Sequence, residues 1–181
     1  MAIVHNTEQS FRQSANNWRD FGLVCQSHEQ RSPTMTNTIV PAAAGQTQTI
    51  LGMQHVNKFL PDAGLGLVTE VTAAPGLGAP PHRHDADSEA FYILEGALTV
   101  DLDGQTRRLH PGDMCFLPAG SEHAFRNEGP GDVRFLAVIT PGTDALAFFT
   151  EIDAAGRSGH LTPDAVMAIG GAHGLAFAPA A

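Results

Sequence analysis

The chain has 181 residues, 43% of them hydrophobic, a formal charge of −9 and a single lysine, Lys58. Such a length supports one domain with extensions and a proper core. The acidic balance, with no basic cluster beyond Arg107-Arg108, excludes nucleic acid and anionic membranes as natural partners.

Residues 1–37 are polar and rich in Asn, Gln and Ser, ending at Arg31-Ser-Pro-Thr. Phe11, Ala15, Trp18 and Phe21 recur at helical spacing, so a short amphipathic helix and a mobile arm are both open readings for this N-terminal extension. Met35 is a second candidate start. From residue 38 to 142 the pattern is all-β. Leu65, Leu67 and Val71 share one side of a strand over 65–71. Leu98, Val100 and Leu102 alternate with Thr99 and Asp101, and Asp103-Gly104 then predicts a two-residue hairpin. Gly112-Asp113 and Pro118-Ala-Gly120 bracket a short apolar strand, and Gly129-Pro-Gly131 turns the chain into 133–139. Short strands at this cadence imply an antiparallel sandwich or barrel. Residues 143–181 change period. Leu146, Phe149 and Ile152 predict a short helix opened by Thr143-Asp144. Thr162-Pro163-Asp164 opens a second over 163–170, stopped by Gly170-Gly171. No apolar run reaches bilayer length, since the longest near the barrel end is Phe135 to Ile139. The N-terminus lacks the basic-then-apolar order of a secretory signal, and Cys25 and Cys115 make no disulfide framework, which points to the cytoplasm.

Chemistry concentrates in two Gly/Pro-framed runs, 76–96 and 112–127. Together they offer His82, His84, Glu89 and His123, a mixed nitrogen and oxygen set suited to a divalent transition metal. His82 and His84 are two apart, so on a strand both face one side, and Arg83 faces the other. Glu89 has the wrong parity for the same regular strand. The turn-forming stretch Asp85-Ala-Asp-Ser88 is expected to break the register and return it to the site. His123 must then come from another strand crossing the same interior.

These runs resemble the two sequence motifs of the cupin superfamily. Gly76, His82, His84, Glu89 and Gly96 fit G-x5-H-x-H-x3-4-E-x6-G, and Gly112, Pro118, Gly120, His123 and Asn127 fit G-x5-P-x-G-x2-H-x3-N. The resemblance covers roughly residues 50–142 and implies one jelly-roll barrel with short C-terminal helices. Its finer part, the phrase Glu89 to Gly96 together with Phe148-Phe149, is similar to quercetin-dioxygenase-like monocupins. It implies a metal held by His82, His84, Glu89 and His123, where Fe, Mn, Ni, Co, Cu and Zn all accept such ligands.

The implied function is a metal-dependent dioxygenase acting on a flavonol-like, enol or diketone substrate. A metal-dependent cyclase or isomerase not using O2, and a non-catalytic small-molecule-binding module, are the alternatives. Glu89 is expected either to remain a ligand or to act as general base. Phe91 and Ile93 share parity with Glu89, and Phe125 with His123, so these three are expected to wall a pocket for an apolar or aromatic small molecule. No arginine falls by parity beside the metal, which disfavours oxalate and sugar phosphates. Tyr92 should face outward, Asn127 should fix a turn, and Cys115 should be a small buried residue. His110 should be exposed. His5, His28, His55, His160 and His173 have no ligand partner at useful spacing and are expected in solvent or in packing. A homodimer is expected, because monocupins commonly pair barrels and Phe148-Phe149 offer apolar surface.

Overall fold

The computed structural model describes residues 38–42, 44–102 and 104–178. The N-terminal segment with its candidate helix, His5, Cys25, His28, Met35 and Asp103 lie outside the described residues.

The described chain is antiparallel β-structure followed by two helices. Its strands are β1 (Gln46–Ile50), β2 (Met53–Phe59), β3 (Leu67–Ala73), β4 (Gly78–His84), β5 (Ser88–Glu95), β6 (Leu98–Leu102), β7 (Gln105–Leu109), β8 (Met114–Leu117), β9 (His123–Arg126), β10 (Val133–Thr140) and β11 (Leu175–Phe177). The helices are α1 (Thr143–Arg157) and α2 (Pro163–Ala172). Hydrogen bonds join six strands in the order β1-β2-β3-β10-β5-β8 and five in the order β11-β4-β9-β6-β7. The jelly roll expected from the sequence is therefore built as two sheets rather than one closed hydrogen-bonded ring.

Period-two alternation places the core. Leu67, Thr69, Val71 and Ala73 of β3 face inward, as do Val133, Phe135, Ala137 and Ile139 of β10. Phe91, Phe125 and Phe135 meet edge to face with ring centroids 5.0–5.5 Å apart, binding the two sheets across the interior. The β6–β7 hairpin pairs Leu102 with Gln105, leaving two residues for the turn, with Gly104 at φ 76°. The strand expected from Leu65 begins instead at Leu67, and Leu65 is exposed. Gly66 explains this: its φ is 81°, and a Cβ there would lie 2.3 Å from the Ile139 carbonyl oxygen.

The C-terminal segment is integral to the sheets. Ala145, Phe148, Phe149 and Ile152 of α1 pack on Ile50, Leu67, Ile139 and Leu175. Phe148 and Phe149 are thus buried, so they do not offer the apolar surface that the expected homodimer was to use. α2 starts as predicted, with the Thr162 hydroxyl accepting from the Ala165 N–H at 3.2 Å. It runs through Gly170-Gly171 to Ala172 rather than stopping there. Gly170 serves close approach instead, since a Cβ would sit 2.7 Å from the Phe177 ring. Phe177 belongs to β11, which the sequence did not reveal and which pairs with β4 at Leu175–His84 and Phe177–His82. Three residues are too few to show a period.

Candidate metal centre

The four ligand candidates converge. His82 and His84 project inward from β4, while Arg83 between them is exposed. His123 opens β9 directly opposite His82 in the strand register. Glu89 arrives from the other sheet, on β5. Its parity conflict vanishes because residues 85–87 leave β4 and the chain changes sheets. One nitrogen or oxygen from each of His82, His84, Glu89 and His123 lies within 4.8 Å of the others. Glu89 Oε2 is 3.4 Å from His123 Nε2 and 3.8 Å from His84 Nε2.

The backbone sets the tautomers. The Nδ1–H of His82 donates to the Pro80 carbonyl at 2.8 Å, and that of His123 to the Ser121 carbonyl at 3.1 Å. Each ring is thereby left with Nε2 free for a ligand bond. The Pro80 carbonyl is available because the β4–β9 register slips between Ala79 and His82, where two prolines lack N–H donors. Burial lowers the pKa of His82 to about 3, helped by the neighbouring His123 and His84, and burial likewise lowers that of His84. These imidazoles are neutral at neutral pH, the form that ligates metal. His123 Nε2 is buried without a hydrogen-bond partner among the described residues. An orphaned nitrogen beside a carboxylate and two neutral imidazoles fits a divalent cation.

The centre opens on an internal cavity. The volume open to water centres is about 40 Å³, room for roughly three waters. Phe91 and Phe125 line it, whereas Ile93, also expected there, does not and is buried in the core. Phe148 and Phe149 of α1 and Leu175 and Phe177 of β11 also line it. Among the described residues no arginine or lysine lines the cavity, and Glu89 is the one carboxylate that does.

Two further residues escaped the sequence reading. His55 of β2 is buried and lines the same cavity, its ring edge-on to Phe149 at 4.9 Å. It stands outside the four-ligand group. The second is Asp87, also buried, within the turn between His84 and Glu89. Its carboxylate accepts from Gly142 N–H at 2.7 Å and Ala145 N–H at 3.0 Å, capping α1 from a distance. An Asp-Ser turn is readable in sequence; a cap 55 residues away is not.

Other expectations hold. Tyr92 faces outward and His110 is exposed. The Asn127 side chain donates to the Ala73 and Gly131 carbonyls and accepts from Gly129 N–H, fixing its turn. Cys115, expected to be buried, is only half-buried against the core, and that burial raises its thiol pKa. His160 is exposed, and His173 pairs with Glu151 at 2.9 Å.

A jelly-roll of two antiparallel sheets with three histidines and a glutamate inside defines a class of small metal-site β-proteins. Residues 69–139 match the cupin domain family. It is 34% identical over 73 residues to the oxalate-binding protein of Thermotoga maritima, covering 40% of this chain and 60% of that one. It is 35% identical over 82 residues to quercetin 2,3-dioxygenase of Bacillus subtilis, covering 45% of this chain but 23% of that enzyme. The chain thus spans less than two thirds of either relative. Among solved structures, the polyketide cyclase RemF from Streptomyces resistomycificus is similar at a TM-score of 0.50 and 25% identity, covering 57% of this chain and 79% of that one.

Proposed function

We propose that this chain is a metal-dependent dioxygenase acting on an enol, diketone or flavonol-like substrate, with His82, His84, Glu89 and His123 holding the ion. The observation that carries this is a group of three imidazoles and one carboxylate beside an apolar cavity that, among the described residues, no arginine or lysine lines. A bound divalent ion supplies Lewis acidity and, where it is redox-active, electrons. Beside a single carboxylate it leaves a net positive centre, which favours an anionic oxygen donor such as an enolate over a neutral ligand. Glu89, placed between His84 and His123, either stays in the ligand set or takes the proton of the substrate hydroxyl. Phe91 and Phe125 hold the apolar part of the substrate and exclude water. Oxalate is disfavoured because nothing cationic among the described residues of the cavity wall would hold its second carboxylate.

Cavity size sharpens the substrate. Space for about three waters suits a compact enol or diketone, and a three-ring flavonol would have to displace the wall built by α1 and β11. The second reading, a cyclase or isomerase without O2, is supported by the likeness to RemF. Metal analysis together with oxygen uptake on a panel of small diketones and flavonols decides between them. Stoichiometric oxygen consumption supports the dioxygenase, and product without oxygen supports the cyclase.

The homodimer is proposed on a different surface from Phe148-Phe149. Tyr92 and Leu94 of β5 and Met114 and Phe116 of β8 are exposed on one outer face, and β8 is an edge strand. A twofold axis beside β8 would pair two open edges and cover both patches. Light scattering should show a dimer that becomes monomeric in Met114→Glu/Phe116→Glu. A cytoplasmic location is proposed on the free thiol of Cys115, and cell fractionation checks it. No helix among the described residues is long and apolar enough to cross a membrane.

A further inference from the structure

We infer that His55 is the second polar anchor of the cavity, hydrogen-bonding an additional oxygen of the substrate while another oxygen meets the metal centre. The inference rests on the proposed function above and narrows it. The substrate becomes a compact enol-ketone that carries a hydroxyl or carbonyl apart from its metal-binding pair.

Three observations carry it. Both ring nitrogens of His55 are buried and neither has a hydrogen-bond partner among the described residues. The side chain is 4% exposed and lines the cavity together with His82, His84 and Glu89. The rest of the cavity wall is overwhelmingly apolar, so an imidazole there serves no packing need that a phenyl ring would not meet. Buried polar groups without partners are rare enough to call for a ligand or a water. A neutral imidazole offers one donor and one acceptor, and can therefore address a carbonyl or a hydroxyl.

The ring is held ready. It packs edge-on to Phe149 of α1, and on β2 it sits opposite Gln48 of β1 and Val71 of β3. Gln48 does not satisfy it: the Gln48 oxygen accepts from Asn57 at 2.7 Å, and its amide nitrogen is directed to Thr150. Burial lowers the His55 pKa to about 3, so the ring stays neutral and is too weak a base to take a proton from a hydroxyl. Its role is orientation, which should show in binding rather than in the chemical step.

A matched pair of probes tests this on metal-loaded protein. Allomaltol and kojic acid share the hydroxypyranone that chelates metal, and kojic acid adds one hydroxyl. Calorimetry should find kojic acid tighter by roughly tenfold in the wild type, the size expected of one added hydrogen bond in a buried site. His55→Phe keeps an aromatic ring against Phe149. It should erase that preference while metal content and allomaltol affinity stay unchanged, and His55→Gln should restore part of it. Metal-free His55→Phe should be at least as stable as wild type. Equal affinities for the two probes, binding of neither by metal-loaded wild type, or a preference that survives His55→Phe overturns the inference. So does loss of stability in both metal-free variants, because it makes His55 structural. A wild type that takes up no metal defeats the proposed function instead. The metal-free stabilities then still decide His55: a stable His55→Phe supports a ligand-facing ring, and a destabilised one removes it.

Discussion

Two walls of one cavity hold buried histidines, and they differ in what stands behind the ring. On the β4–β9 wall, His82 and His123 each donate Nδ1–H to a carbonyl two residues earlier, and a register slip at two prolines frees one of those carbonyls. On the β2 wall, neither ring nitrogen of His55 has a hydrogen-bond partner among the described residues. Burial alone does not separate the two, since both His82 and His55 are driven to a pKa of about 3. What separates them is the backbone partner, which fixes one nitrogen and aims the other. His82 and His123 are aimed by that partner; His84, whose Nδ1 also lacks one among the described residues, is placed by its position two residues from His82 on β4; His55 has neither aid and is left to address whatever enters.

The largest effect should come from the first wall. His84→Ala removes one of three imidazoles and should weaken metal binding by more than about 100-fold, because losing even an outer partner of a ligand costs about 10–100-fold. Metal analysis after desalting should read background, and turnover should vanish with it. Retained metal and activity would overturn the site assignment and with it the contrast between the walls.

Glu89→Gln probes the same ion site more gently, from β5 of the opposite sheet. The amide keeps a neutral oxygen donor but loses charge and basicity. Metal should remain while turnover falls by about 10²–10⁴, the range for removing a general acid or base. Full activity with normal metal content confines Glu89 to coordination.

Phe125→Ala acts beneath both walls. The ring contacts Phe91 and Phe135 as well as the cavity, so the variant should lose about 3–5 kcal/mol of stability besides binding substrate less well. Denaturant titration measures the first, and metal content of the folded fraction should be unchanged. A loss below 1 kcal/mol would show that this aromatic cluster collapses around the gap.

How much of this could be read in advance follows the same division. The β4–β9 wall was legible because its requirements are local: paired histidines at strand spacing, turn glycines and Pro118-x-Gly120 within short runs. Parity correctly turned Arg83 and Tyr92 outward. Parity alone does not place a side chain along the strand: Ile93 shares Glu89's face on β5 but does not line the cavity, whereas Phe91 does. His55 was invisible as a cavity residue because its burial depends on α1 and Phe149, which lie about ninety residues further along the chain. β11 and the Asp87 cap were hidden for the same reason, being long-range contacts made by segments too short to carry a period.

Acid should weaken both walls of the metal-free protein together. His82 and His55 titrate near 6.5 when unfolded and near 3 when folded, so the unfolded chain binds more protons between those values. Their neutral burial is fully tolerated above about pH 6.5, and stability falls as pH drops towards 3. The slope should approach about 1.4 kcal/mol per pH unit for each histidine. Urea midpoints of chelator-treated protein between pH 7 and 4 measure it. His55→Phe should remove its share of the slope, and an unchanged slope would mean that His55 is not buried in its neutral form.

The smallest expected effect tests what joins the walls. Asp87 lies in the turn between His84 and Glu89, yet both its carboxylate oxygens cap α1, the helix whose Phe149 holds His55. α1 has no side-chain cap of its own, because Gly142 occupies its N-cap position. In Asp87→Ala the Gly142 and Ala145 N–H groups lose a charged acceptor in a buried place, which costs about 1–3 kcal/mol. At roughly 2–4 °C per kcal/mol for a chain of this size, scanning calorimetry should show a clear drop in Tm. Asp87→Asn keeps one acceptor oxygen and should fall between the two. Metal content should persist in both variants, because no ligand is removed and the ligand tautomers are set on β4 and β9. If Asp87→Ala lost metal as completely as His84→Ala, the turn and not the β4–β9 backbone would be organising the ion site.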